Sequence, residues 1–274
     1  MSVSWTICRG CMKKDPQRRV DYDQVAPVYD MRFAYYAGTQ KGIGAALVDL
    51  VGQVHAHHVL EVGCGTGHWL RLLALLGCKL HGLDLSLGML CRARIAGAAN
   101  LVQGGAEALP FPAAMFDLVF CVSALHHFAD AGAFIRAARL LLRPGGALAI
   151  IGLNPHSGRD HWYLYDCFPG TLQADLGRYP SPGAIVDWMI AAGFDVVRWQ
   201  EVERLRDSRA GRDILAEPML HKNSTSQLTL LTDEEYSLGI ARIRAAIANT
   251  EAIGEEPVFS VDVSLQMVAG LLEK

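Results

Sequence analysis

Charge of one sign is what this sequence most obviously lacks. Its 25 Lys and Arg against 28 Asp and Glu leave a net charge of −3. That gives no support to the basic patch or stripe through which proteins hold nucleic acid. Charged residues of either sign are scarce, 19% of the chain against a usual share of about 25%. The run Lys13-Lys14 with Arg18-Arg19 is short, sits beside Asp15 and reads as a solvated face. No uninterrupted apolar run reaches the roughly 18 residues of a membrane helix. The first twenty residues carry charges and no apolar core, unlike a secretory signal. Framework spacing is missing from the seven cysteines, an odd number that fits reduced thiols better than a disulfide scaffold. Cys8 and Cys11 have metal-like spacing but no second pair nearby, so no metal is expected. The expectation is a soluble, cytoplasmic protein with neither nucleic-acid nor membrane partners.

What is present is apolar mass. With 51% hydrophobic residues over 274 positions, the chain can bury a large core as one domain or a domain plus a cap. Apolar runs at 58–62, 79–84, 99–103, 116–122 and 147–153 alternate with helical patterns at 67–76, 87–96 and 131–142. Such alternation marks a parallel sheet covered by helices on both faces. Arg143-Pro144-Gly145-Gly146 is expected to break the chain between a helix and the next strand. A helix over 182–192 ending at Gly193 leads to a sixth strand at 195–201, and alternation over 258–268 predicts a last strand. Residues 154–181 mix proline, glycine, histidine and aromatics as a lid would, and 204–250 reads as mainly helical.

The most informative stretch is Val59-Leu60-Glu61-Val62-Gly63-Cys64-Gly65-Thr66-Gly67, a buried strand running into a glycine turn and a helix. Glycines there permit positive φ and close approach of a ligand, and the helix start offers unpaired N–H donors. The dinucleotide fingerprint G-x-G-x-x-G is not matched, because His68 stands where its third glycine would fall. Asp84, at the end of the following strand, can accept both hydroxyls of a ribose; the plainer reading is a strand-end carboxylate capping the next helix. Ser86 is the better cap.

These residues resemble the class I S-adenosylmethionine-dependent methyltransferases, in particular their small-molecule branch with ubiquinone- and menaquinone-type enzymes. Glu61 to Gly67 looks like the loop that holds the methionine part of the cofactor, and Asp84 like the ribose-binding acid. Glu107-Ala108-Leu109-Pro110-Phe111 with Phe116-Asp117-Leu118-Val119 is similar to the stretch bordering adenine. Ser123-Ala124-Leu125-His126-His127-Phe128 matches the segment beside the sulfonium, Leu142 to Gly146 the turn before strand five, and Tyr22 to Asp30 a helix closing over the cofactor. The resemblance implies a Rossmann-like, seven-stranded, mostly parallel α/β sheet with helices on both faces, its last strand antiparallel and a helical cap over the substrate. It also implies S-adenosylmethionine at Tyr22, Tyr29, Glu61, Gly63, Cys64, Gly65, Gly67, Asp84, Leu85, Met89, Gly105, Ala106, Glu107 and Ser123. One departure is Gly105, which stands where the family carries an acid, leaving Glu107 or the backbone to meet the adenine amino group.

The cofactor's methyl is already electrophilic, so the protein's task is to position a nucleophile and, where required, to take its proton. His126 and His127 are the candidates for that base, although a structural histidine pair would read the same way. His156, Trp162, Tyr163 and Tyr165 are candidates to line a substrate chamber, with lid packing as the alternative. The expected organisation is an N-terminal extension and lid over 1–40, a cofactor-binding core over 41–203 with the lid insertion at 154–181, and a helical cap with the final strand over 204–274. The function expected is methyl transfer to an O, N or C nucleophile of a small apolar or aromatic metabolite of secondary metabolism. A non-catalytic scaffold or partner subunit and a nicotinamide or flavin oxidoreductase remain as alternatives. Neither the acceptor nor the oligomeric state is legible.

Overall fold

A computed structural model describes residues 20–30 and 41–274; Cys8, Cys11 and the basic run lie outside them. The strands are β1 (His58–Val62), β2 (Lys79–Asp84), β3 (Leu101–Gln103), β4 (Phe116–Val122), β5 (Leu142–Leu153), β6 (His161–Trp162), β7 (Val196–Ala210) and β8 (Val258–Leu271). The helices are α1 (Tyr22–Val25), α2 (Lys41–Gln53), α3 (His68–Leu73), α4 (Leu87–Ile95), α5 (Ala131–Leu141), α6 (Tyr163–Cys167), α7 (Thr171–Arg178), α8 (Pro182–Ala191), α9 (Ser226–Thr229) and α10 (Asp233–Glu251). The strands form one mixed sheet in the order β3-β2-β1-β4-β5-β8-β6, with β7 along the other edge of β8. β1 to β5 pair in parallel, and β8 runs antiparallel to its three partners. The expected Rossmann-like, mostly parallel sheet is thus present, with the two-residue β6 added.

β4 shows how the sequence makes a two-sided sheet. Leu118 and Phe120 enter the core with Leu47 and Leu50 of α2. Val119 and Cys121 point the other way, into the core with Phe134, Ile135 and Ala138 of α5 and Met189 of α8. A central parallel strand is apolar at consecutive positions because both its faces are covered. The chain order reverses between β1 and β4, which puts a crevice at the carboxyl ends of β1, β2 and β4, where open α/β sheets bind ligands.

Two expectations need correction. Arg143 to Gly146 does not separate α5 from a strand, because β5 already begins at Leu142. The register slips between Phe116 and Leu118, Gly145 takes φ +78°, and Arg143 is anchored on Asp117 at 2.9 Å, so the chain bulges within the strand. The sixth strand does not stop at Glu201 either: β7 continues to Ala210, and the helical cap expected from 204 starts later. Arg204 and Arg206 both reach Asp262 on the facing strand, a cross-strand charge pattern that mimics a solvated helix in sequence. After short helical turns, α10 begins at a complete capping box made by Thr232 and Glu235.

α10 packs onto the fully buried ring of Phe168 through Gly239, where an added Cβ would overlap that ring. Alanine in an exposed helix gains up to about 1 kcal/mol over glycine. Gly239→Ala is nevertheless expected to lower unfolding free energy in urea by about 1–3 kcal/mol, the cost of overpacking a filled core. An unchanged or raised midpoint would contradict this packing.

Candidate functional site

The turn after β1 has three left-handed glycines: Gly63, Gly65 and Gly67 have φ of +73°, +51° and +76°. A Cβ on Gly63 would meet that of Ala124 at 2.5 Å, so side chains are excluded by space as well as by conformation. The loop amides, expected to be free for a ligand, are engaged within the turn. Gly63 and Cys64 donate to the Leu83 carbonyl at 2.7 and 3.1 Å, and Gly67 donates to the Cys64 carbonyl at 2.9 Å. Gly65 donates to Asp84 Oδ2 at 2.7 Å. The glycines therefore supply shape rather than a row of donors.

Asp84 ends β2 at the floor of this turn, with Oδ1 accepting from the Ser86 N–H at 2.9 Å. Burial pushes its carboxyl up, while the backbone N–H groups of Ser86 and Gly65 pull it back. Ser86 caps α4 by accepting from the Met89 N–H and donates to Asp23 Oδ1 at 2.6 Å. Asp23 also accepts from Gly88 N–H, and Asp30 holds Thr66 Oγ1 at 2.6 Å and Arg92 at 2.9 Å. Residues 20–30 are thus latched over the glycine turn by polar contacts at both ends.

A cavity of about 330 Å³ opens here. Gly63, Gly65, Asp84, Leu85, Met89, Gly105, Ala106 and Glu107 line it, joined by Tyr22, Tyr29, Ser123, His126 and His127. Glu107 Oε1 accepts from the Ala129 N–H at 2.7 Å, tying the stretch after β3 to the loop after β4. A second cavity, of about 130 Å³, shares Tyr22, Tyr29, Val122, Ser123 and His126 with the first. Beyond that seam its walls are apolar, including Ile43, Trp69, Trp162, Leu205, Val263 and Leu265, with Thr225, Ser226 and Gln227 at one side. Ser123, at the junction, has φ +50°, a conformation costing a non-glycine residue of order 1–3 kcal/mol and typical of functional sites. Next to it, Tyr22 Oη and His127 Nε2 share a 2.7 Å hydrogen bond, and His126 stacks on Tyr179 with centroids 3.8 Å apart.

The remaining candidates lie elsewhere. Cys64 is buried with Leu70 and Leu90 behind the turn, and Gly67 packs against Ala93 and Ala98. Glu61 is 1% exposed, behind the cavity wall rather than on it. Its Oε2 has no partner among the described residues. Burial, reinforced by Asp84, pushes this carboxyl well above its ordinary value. His156 is held by the Tyr179 carbonyl at 2.8 Å. Tyr163 is core, edge-on to Phe259, and Tyr165 donates to Asp175 at 2.7 Å; of the four lid candidates, only Trp162 lines a cavity. Residues missed in the sequence are Trp69, Arg178, Tyr179 and the 225–227 run, which come from separate elements and share no local motif.

A family model described as a methyltransferase domain matches residues 60–150. The malonyl-[acyl-carrier protein] O-methyltransferase of Porphyromonas gingivalis is 31% identical over 207 residues, covering 72% of this chain and 76% of the relative. The chain belongs to the class I S-adenosylmethionine-dependent methyltransferases. The Yersinia pestis protein of the same name is 34% identical, over 53% of this chain and 54% of its own length. The chain spans about half or less of the first curated relatives it matches. The solved S-adenosylmethionine-dependent methyltransferase of Archaeoglobus fulgidus shares the fold, with TM-score 0.55, 17% identity and coverage of 89% and 99% of the two chains. Among the described residues no helix is long and apolar enough to cross a membrane, and no cluster suited to a metal ion is found.

In this methyltransferase, Glu61 gives a pH-dependent test. Its folded pKa lies above the usual value near 4.5, so the unfolded chain ionises first and stability falls as pH rises from there. Glu61→Gln removes that penalty. The variant is expected to melt at least about 2 °C above the ligand-free parent at pH 8, with the gap closing towards pH 4.5; a lower melting point throughout would contradict the unpaired carboxyl.

Proposed function

We propose that this chain transfers the methyl group of S-adenosylmethionine to an O, N or C nucleophile of a small apolar or aromatic acceptor. The observation that carries this reading is the pair of cavities meeting at Ser123, one walled by the glycine turn and Asp84, the other by apolar side chains. The residues present fit the cofactor. Asp84 uses one N–H bond at each oxygen and keeps lone pairs for two ribose hydroxyls. Leu85 and Met89 offer apolar surface for adenine. The orphaned Glu61 Oε2 is an acceptor for an ammonium through a water, and a cation there draws the carboxyl back to its ionised form. Bound S-adenosylmethionine supplies an electrophilic methyl on its sulfonium.

The chain's own residues do the rest. Tyr22, Tyr29 and His126 wall the seam, orient an acceptor and exclude water. His127, held by the Tyr22 hydroxyl, is the group placed to receive a proton from an O–H or N–H acceptor; a carboxylate acceptor requires no base. Residues 154–181 and 204–256 close the apolar chamber, and the 20–30 segment closes the other.

Calorimetric titration tests the reading. S-adenosylhomocysteine is expected to bind in the micromolar range while NADH does not. Gly65→Asp, which places a side chain against Tyr29 and a charge beside Asp84, is expected to weaken binding at least about 100-fold, roughly 2.7 kcal/mol. Unchanged affinity in the variant would remove the assignment, and NADH binding would favour an oxidoreductase.

A further inference from the structure

On the wall of the larger cavity, bonded to a residue of the smaller one, stands a charged group that the proposed transfer does not use. Arg178, the last residue of α7, lines the larger cavity. Its Nη2 donates at 2.8 Å to Ser226, which lines the smaller one. The guanidinium is fixed from behind by Asp175, a carboxylate with no solvent exposure. Arg178 Nε and Nη2 donate to Asp175 Oδ1 at 2.8 and 2.7 Å. Tyr165 and Gln227 donate to Oδ2, each at 2.7 Å. Four donated hydrogen bonds satisfy that carboxylate and leave the arginine one orientation. Yet Arg178 Nη1 is buried and has no acceptor among the described residues. An unmade bond on a buried charged donor is costly, and in a native protein such a group calls for an explanation.

We propose that Arg178 receives a carboxylate of the methyl acceptor, so that the acceptor is an apolar acid whose body fills the chamber walled by Trp69 and Trp162. The inference rests on the methyltransferase reading and deepens it by naming the substrate class. A planar guanidinium held by a second carboxylate is preorganised for a carboxylate oxygen. Fixing the arginine before binding also removes the ordering cost that a free side chain would impose on the complex. The buried Asp175 neutralises the arginine in the empty protein without occupying Nη1, which leaves that donor for an anion.

The test uses matched acid and amide pairs: phenylacetate against phenylacetamide, and octanoate against octanamide. Each is titrated into the full chain with and without S-adenosylhomocysteine. Acids are expected to bind at least about tenfold more tightly than their amides, the ratio typical of one charge-assisted hydrogen bond. Arg178→Gln abolishes the preference. Because that change strands Asp175, the neutral pair Asp175→Asn with Arg178→Gln is measured beside it, with thermal melts reporting folding. The readout is the ratio, since general damage to the chamber weakens acid and amide together. Equal affinities in the parent, failure of both acids to bind, or a preference that survives in both variants would each overturn the proposal. An acid preference lost with Arg178 in a protein that ignores S-adenosylhomocysteine would support this site and overturn the methyl-transfer reading instead.

Discussion

The Asp84 carboxylate is the point on which the rest of the site depends. It ends one strand, ties down the turn after a neighbouring strand through Gly65, and accepts from Ser86, the cap of the following helix. Burial works against its ionised form, and the backbone N–H groups of Ser86, Gly65 and Leu85 work for it. The balance holds a charged acceptor at the carboxyl end of β2, one strand from the place where the chain order reverses. It is the one side chain that Gly65 meets with its N–H; Gly63 is tied to the same strand through the Leu83 carbonyl, and Gly67 bonds within the turn.

Two further constraints are built on that anchor. The segment 20–30 reaches the same helix through Asp23 and the same turn through Asp30, so it covers the crevice through polar contacts. On the other side, the long β7–β8 ribbon and the 225–227 run border a chamber lined by apolar side chains of the sheet. One buried ion pair, Asp175 with Arg178, links the wall of the larger cavity to a residue of the smaller one. A fold of this class hosts many reactions; what narrows this one is the polarity of the two chambers and the strained Ser123 between them.

Much of the core was legible in the sequence, because its signals are local. The run from Val59 to Gly67, the carboxylate at 84 and the caps at Ser86 and Gly193 each follow from neighbouring residues, and the structure places them as strand, turn, strand end and helix ends. Where the reading failed, the deciding partner was distant. Residues 204–210 looked helical because their charges satisfy one another across strands. Cys64 and Gly67 sit in the glycine motif but pack inward, since only some positions of a tight turn can face a crevice. Tyr163, Tyr165 and His156 have the composition of a substrate chamber, yet each is held by a residue far along the chain or in a neighbouring element. Conversely, Arg178 reads in sequence as half of an ordinary i,i+3 ion pair with Asp175, and nothing near Tyr179 marks it; their significance comes from Ser226, Gln227 and His126, which only the folded chain brings to them.

The most direct measurement is a crystal structure of the complex with S-adenosylhomocysteine. The account predicts the ribose hydroxyls within hydrogen-bond distance of Asp84, adenine against Leu85 and Met89, and sulfur beside Ser123 at the mouth of the apolar chamber. A ligand bound elsewhere, or one in this cavity whose ribose makes no contact with Asp84, would contradict it.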